Sequence, residues 1–178
     1  MILLIILGEK AMRIRKLELK DAPLMLEWMH DESVVCGLHG NFKEKTLDDC
    51  IAFINNAHMT EENIHLAIAT DADEYMGTVS LKDIDRKEQS AEFAITVRKS
   101  AMGKGYSWYG MREIIQKAFE EYGLNRVYWC VSAQNVHAVK FYNKHGFERI
   151  SDISEKVQAR YKDMNDLLWY EVQKNPAK

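Results

Sequence analysis

The chain has 178 residues, of which 47% are hydrophobic and 29% charged, with a formal net charge of −3. This size and balance fit one soluble globular domain that buries its own core, and they leave no basic footprint for nucleic acid. The three cysteines, Cys36, Cys50 and Cys130, are odd in number and lack metal-type spacing, which suits a reducing cytoplasm better than a secreted disulfide frame.

In chain order, Met1–Leu7 is an apolar run far short of the ~20 residues a membrane helix needs, and it lacks the basic start of a secretory signal. A second methionine, Met12, opens the alternating stretch Arg13-Ile14-Arg15-Lys16-Leu17. Residues 1–11 therefore read as an N-terminal extension or a misassigned start, and 12–174 as one domain. An exposed apolar run of this kind invites association unless it docks as an added strand or in an interface.

Met12–Leu19 reads as a first strand. Asp21 caps a helix that tolerates Pro23 in its first turn, and Leu24, Met25, Leu26, Trp28 and Met29 form its apolar surface. This helix breaks up around Gly37 and Gly40, and a second opens at Thr46-Leu47-Asp48-Asp49 and runs to about Ala57. His65–Thr70 and Tyr75–Leu81 are strands joined by a polar turn, and Lys82–Gln89 is a charged connection. Ala91–Val97 is the next strand, with Phe93, Ile95 and Val97 on one face. After it, Met111, Ile114, Ile115, Ala118, Phe119 and Tyr122 recur at helical spacing and mark one long amphipathic helix, with Gly123 at its C-terminal cap. Arg126–Ser132 reads as a strand, Asn135–His145 as a short helix closed by Gly146, and Phe147–Ser154 and Asp166–Gln173 as two further strands. The sum is one α/β domain on a mixed sheet.

The stretch between the Ala91–Val97 strand and the long helix holds Gly103 and Gly105, one residue apart. Glycines there let the backbone turn tightly and approach a ligand, and the helix start beyond them presents unpaired amides and a positive dipole end. A strand, a Gly-x-Gly turn and a helix start together make a seat for a phosphate or pyrophosphate. The spacing is neither that of the nucleoside-triphosphate loop nor that of the dinucleotide fingerprint, which disfavours a nucleotide-binding domain. Glu92 stands among apolar neighbours, where a carboxylate is costly unless solvated, paired or put to use. Tyr142 shares its helix face with apolar residues and reads as a core aromatic, while Asn135 is placed as a helix cap. The six histidines form no i, i+4 pair beside an acid, so no metal site is expected. Trp28 could line a pocket. The acids Asp31, Glu32, Asp48, Asp49, Glu61 and Glu62 could favour a cationic ligand, although a solvated helix face is the simpler reading.

Ala91-Glu92-Phe93, then Gly103-Lys104-Gly105-Tyr106, then Asn135 followed by Ala138, Tyr142 and Gly146-Phe147, in this order and spacing, resemble the GCN5-related N-acetyltransferases. Within that superfamily the nearest subgroup is that of the ribosomal-protein N-terminal acetyltransferases, and the resemblance spans roughly Arg13 to Val172. It implies a single α/β domain with a mostly antiparallel twisted sheet flanked by helices. It also implies transfer of the acetyl group of acetyl-CoA to a primary amine by direct attack, the acceptor being a protein N-terminus, an amino sugar or a polyamine. Glu92 would help remove a proton from the amine, directly or through water, and Tyr142 would donate a proton or hydrogen bond to the departing thiolate. The amides of Met102, Gly103, Lys104, Gly105, Tyr106 and Ser107 would bind the pyrophosphate, with charge from Arg98 and Lys104. The backbone of Ile95, Thr96 and Val97 would pair with the pantetheine arm, and Asn135 would touch the cofactor. The pattern departs from the family at Ser100, where many relatives carry Gln or Arg. Many relatives also form homodimers. A non-catalytic acyl-CoA-binding module is the alternative that the same groove would serve.

Overall fold

The computed structural model describes residues 12–38, 40–58 and 60–174. The expectation for residues 1–11 lies outside the described residues, as does His39. The elements are β1 (Met12–Lys16), α1 (Ala22–Met29), α2 (Glu32–Val35), α3 (Leu47–Asn56), β2 (Ile64–Thr70), β3 (Tyr75–Asp85), β4 (Ser90–Val97), α4 (Tyr106–Glu120), β5 (Arg126–Ser132), α5 (Val136–Lys144), β6 (Arg149–Ile150), α6 (Glu155–Gln158) and β7 (Leu167–Gln173). The seven strands form one sheet in the order β1-β2-β3-β4-β5-β7-β6. Every neighbouring pair is antiparallel except β4 and β5.

Period-two patterning in the strands decides which helices cover which face. Val79, Leu81, Phe93, Val127 and Trp129 pack under the α4 stripe of Met111, Ile114 and Ala118 in one core. Ala67, on the opposite face, packs with Met25 and Trp28 of α1 and Cys50 and Ile54 of α3 in a second. α3 begins where the capping box places it. The Thr46 hydroxyl accepts from the Asp49 amide at 3.2 Å, and the Asp49 carboxylate accepts from the Thr46 amide at 2.8 Å. Such a cap stabilises a helix by about 1 kcal/mol.

Two expectations need correction. The stretch Lys82–Gln89 is not only a connection, because β3 continues through it to Asp85. Ile84 there is buried, and Lys82 faces Glu92 across the ladder, so both packing and charge keep the strand going. The expected strand Phe147–Ser154 contracts to Arg149–Ile150, which pairs with β7 alone at the sheet edge. Beyond it the chain leaves the sheet for α6 and a 3-10 turn at Ala159–Tyr161.

The feature that positions the site lies at the centre of the sheet. β4 and β5 are in register only at Ser90↔Arg126, Ala91↔Val127 and Glu92↔Tyr128. Past Glu92, β4 stays with β3 as far as Val97↔Gly77, whereas β5 stays with β7 as far as Ser132↔Leu167. The two strands therefore part, and the β5-facing edge of Phe93–Val97 is left without a strand partner.

Candidate active site

Glu92 is the last residue of β4 paired to β5, and it points to the α1–α3 side of the sheet while Phe93 points to the other. It is 4% exposed. A carboxylate so buried needs partners, and the structure supplies them. Its Oε1 accepts from Lys82 Nζ at 3.0 Å and from the Tyr161 hydroxyl. Arg160 Nη2 lies 3.3 Å from Oε2, yet that oxygen is buried without a well-formed hydrogen bond. One face of the carboxylate is thus saturated and the other has a lone pair to spare.

Two acidic groups beside Glu92, the Tyr161 phenol and the Cys130 thiol, are held in their protonated forms. Burial, reinforced by the hydrogen bond to Glu92, pushes the Tyr161 phenol far above its ordinary value. Burial, with the Glu92 charge behind it, lifts the Cys130 thiol to about 11. That thiol is a poor nucleophile at neutral pH, in keeping with direct attack by the acceptor rather than an acyl-enzyme.

Tyr142 sits on α5, 7% exposed, against Trp129, Phe147 and Tyr170 in the core beneath α4. Burial, with no offsetting hydrogen bond, pushes its phenol well above the ordinary value. Glu92 and Tyr142 therefore belong to opposite faces of the sheet, on either side of the split.

At the far end of β4 the chain passes through a 3-10 turn at Lys99–Ala101 into the glycine loop. Gly103 and Gly105 have φ of 71° and 90°, in the left-handed region that glycine enters freely. Gly105 is also the N-cap of α4 and supplies no capping side chain, so the amides of the first turn keep their hydrogen bonds for another partner. Lys104 is exposed beside them, as are Met102 and Ser107 in part. Tyr106 offers only its amide, because its ring is buried in the core at 2% exposure. Ile95 and Val97 turn their side chains to the α4 core, while Thr96 faces the α1–α3 side. All three keep their β5-facing backbone edge.

One other expected residue, Arg98, stands differently, and Asn135 takes the helix-cap place expected of it. Arg98 is no phosphate ligand. It is 7% exposed and gives its guanidinium to Glu27 at 2.9 and 3.0 Å, to Glu74 at 2.8 Å and to the Tyr75 carbonyl at 3.1 Å. It ties α1 to the β3 start. Asn135 caps α5 by accepting from the Ala138 amide at 3.2 Å, and its Nδ2 lies 3.5 Å from the Gly37 carbonyl. No sequence signal marked Tyr161 or Arg160. Lys82 was legible in principle, since a lysine and a glutamate facing each other in adjacent antiparallel strands form a charge pair.

On the Glu92 side of the sheet a cavity of about 360 Å³ opens between β2–β4 and the helices α1 and α3. Ala94, Ile95 and Thr96 form its floor beside the split, and Met25, Trp28, Met29, Phe42 and Phe53 form its walls. Among the described residues, no group of three or more His, Cys, Asp or Glu side chains is placed to hold a metal, and no helix is long and apolar enough to cross a membrane.

A sheet that parts beside a glycine-rich helix start can take a long, thin donor with an amide-bearing arm and a phosphate end, and that is the architecture of a coenzyme A-dependent acyltransferase. The chain belongs to the acetyltransferase (GNAT) domain family, whose model matches residues 12–148, and it is an acetyl-CoA-dependent acyltransferase. The uncharacterized N-acetyltransferase p20 of Bacillus licheniformis is 26% identical over 139 residues, covering 76% of this chain and 78% of p20. The spermidine N(1)-acetyltransferase of Vibrio cholerae is 27% identical over 112 residues, covering 61% of this chain and 65% of that protein. Among solved structures, a probable acetyltransferase superposes with a TM-score of 0.76 at 26% identity, covering 94% of both chains. The Vibrio cholerae spermidine N-acetyltransferase in complex with CoA and spermine superposes at 0.74 with 17% identity, covering 91% of this chain and 95% of that one, which is a likeness of fold.

Proposed function

We propose that this enzyme moves the acetyl group of acetyl-CoA onto a primary amine held in the cavity on the Glu92 side of the sheet. The observation that carries the reading is the parting of β4 and β5 immediately past Glu92, with that cavity at its edge. The pantetheine arm lies along the free edge of Ile95–Val97 and brings the thioester to the split. The pyrophosphate rests on the amides of Gly103, Gly105, Tyr106 and Ser107, with the Lys104 side chain beside it. The expected amides of Met102 and Lys104 already donate to the Lys99 and Ala101 carbonyls at 3.2 and 3.3 Å.

An amine attacks only when neutral, and near pH 7 most aliphatic amines are protonated. Glu92 accepts the proton. Because Tyr161 and Arg160 seal the carboxylate from bulk solvent, the proton reaches it along a hydrogen bond rather than by open collision. The amine nitrogen then bonds to the carbonyl carbon, the carbon–sulfur bond breaks with its electron pair leaving on the thiolate of CoA, and the nitrogen's surplus proton passes to that thiolate or to water. The buried Tyr142 phenol is a weaker acid than a free one, so its contribution is a hydrogen bond that stabilises the thiolate rather than complete proton transfer.

Replacing Tyr142 with Phe removes that one donor and leaves the packing in place. Thiol release with acetyl-CoA and a panel of amines is expected to show kcat falling about 100-fold with KM for acetyl-CoA nearly unchanged. A kcat within about threefold of the parent removes Tyr142 from the reaction.

A further inference from the structure

The walls of the acceptor cavity carry information about which amine it takes. Most of the lining is apolar, from Met25, Trp28, Met29, Phe42 and Phe53. The polar groups that remain are nearly all engaged. Thr78 Oγ1 shares a hydrogen bond of 2.7 Å with the Tyr75 hydroxyl, and Ser80 Oγ one of 2.7 Å with His65 Nδ1. Burial holds the His65 imidazole neutral, with a pKa of about 4.

Three formal charges line the cavity: Lys45, Lys82 and Asp49. Lys82 is paired with Glu92, and Asp49 closes the α3 capping box through Thr46. Lys45 enters no ion pair among the described residues. The other acids that might have drawn a cation lie outside the cavity. Asp31 accepts from Ser33, Glu32 pairs with Lys43 at 2.8 Å, and neither they nor Asp48, Glu61 and Glu62 line the cavity. A polyamine bound for transfer presents one neutral amine to the thioester and keeps its other nitrogens charged. Here those charges would meet two lysines and, of the carboxylates, only Asp49, whose Oδ2 already accepts twice from Thr46. The apolar walls offer them nothing, and burying a charge without a partner is costly.

We infer, resting on the transferase reading above, that the acceptor is a primary monoamine on an aromatic or branched aliphatic body, and that the cavity selects against polyamines. The apolar body replaces water against Trp28, Phe42 and Phe53, and the single amine reaches the split. The cavity volume lies at the low end of small-molecule sites.

The test uses the full chain with acetyl-CoA and two sets of amines: phenethylamine, tryptamine and isoamylamine against putrescine, spermidine and spermine. The expected kcat/KM for the best apolar monoamine exceeds that for spermidine by about tenfold or more, since like charges placed together discriminate strongly. In Lys45→Glu, which supplies a free carboxylate at the exposed rim, the ratio is expected to move toward spermidine by about tenfold. Calorimetry of the same amines on protein saturated with CoA reads the cavity independently of turnover. Spermidine preferred in both assays overturns this inference and leaves the transferase reading intact. CoA binding with no amine turned over, while apolar amines still bind, upholds the cavity's selectivity and overturns the transferase reading. No amine binding in either set overturns the inference.

Discussion

Replacing Glu92 with Gln keeps the side chain's shape and removes its charge, which separates what the carboxylate does for the fold from what it does for the reaction. In the fold it sits between Lys82 at 3.0 Å, Arg160 at 3.3 Å and the Tyr161 hydroxyl. Breaking a fully buried pair by removing one partner costs roughly 3–5 kcal/mol. Here the two cations are about one-third exposed, at 35% and 31%, and can recover water. The amide oxygen of the new side chain also still accepts from Lys82 and Tyr161. The expected loss is therefore about 1–2 kcal/mol, against the limits set by surface and buried pairs. For a domain of this size that lowers Tm by about 2–8 °C. In the reaction, loss of a positioned base is expected to lower kcat by about 100-fold or more. Thermal unfolding followed by circular dichroism and steady-state thiol release, on the same preparation, give the two numbers. A variant folded as the parent and active within about threefold would refute the assignment of Glu92 as base. A Tm drop beyond about 12 °C would show that the ion pairs, not the chemistry, explain the residue.

Other expected outcomes follow from the same geometry. A Cβ at Gly77 would lie 2.4 Å from the Thr96 carbonyl oxygen and 2.9 Å from Val97 Cα. Gly77→Ala is expected to cost about 3 kcal/mol by forcing β3 and β4 apart. Gly103→Ala meets no atom within 4 Å and suffers only its φ of +71°, for about 1 kcal/mol; equal losses in urea titrations would contradict this account. His65 has a folded pKa of about 4, lowered chiefly by burial and then by Lys82 and His58, against about 6.5 when unfolded. Between those values the unfolded chain binds a proton that the folded chain refuses, so stability falls as pH falls through the window, by about 1–3 kcal/mol. The depressed carboxylates of Asp73 and Asp85 act lower, below the ordinary aspartate range. His65→Gln is expected to flatten the urea midpoint between those two pH values, and an unchanged slope would show that the imidazole takes its proton in the fold.

What the sequence disclosed and what it withheld divide along a physical line. Periodicity located α4, since Met111, Ile114 and Ala118 are all fully buried, and the capping box located α3. Glu92 and the glycine loop were visible because chemistry that needs them leaves local marks: a charge in an apolar strand, and glycines before a helix. Arg98 was misjudged because its partners Glu27 and Glu74 are far away in sequence, and a guanidinium with two carboxylates in reach is a brace, not a phosphate ligand. Tyr161 and Arg160 were silent for the same reason. They reach Glu92 from a short turn near the end of the chain that has no periodicity to announce it. The apparent acidic cluster dissolved because Asp31 and Asp49 are spent on capping, Glu32 pairs with Lys43, and the others do not line the cavity.

The narrow junction between β4 and β5 has a mechanical meaning. Three residue pairs join one plate of the sheet, β1 to β4, to the other, β5 with β7 and β6. A ligand lying in the gap and bonding to the strand edge would act as a rung between the plates. Its loss would then loosen the molecule along a line, and protection against amide exchange in Ala94–Val97 and Cys130–Ser132 would rise and fall with CoA. The donor would serve as part of the framework before it serves as a reactant.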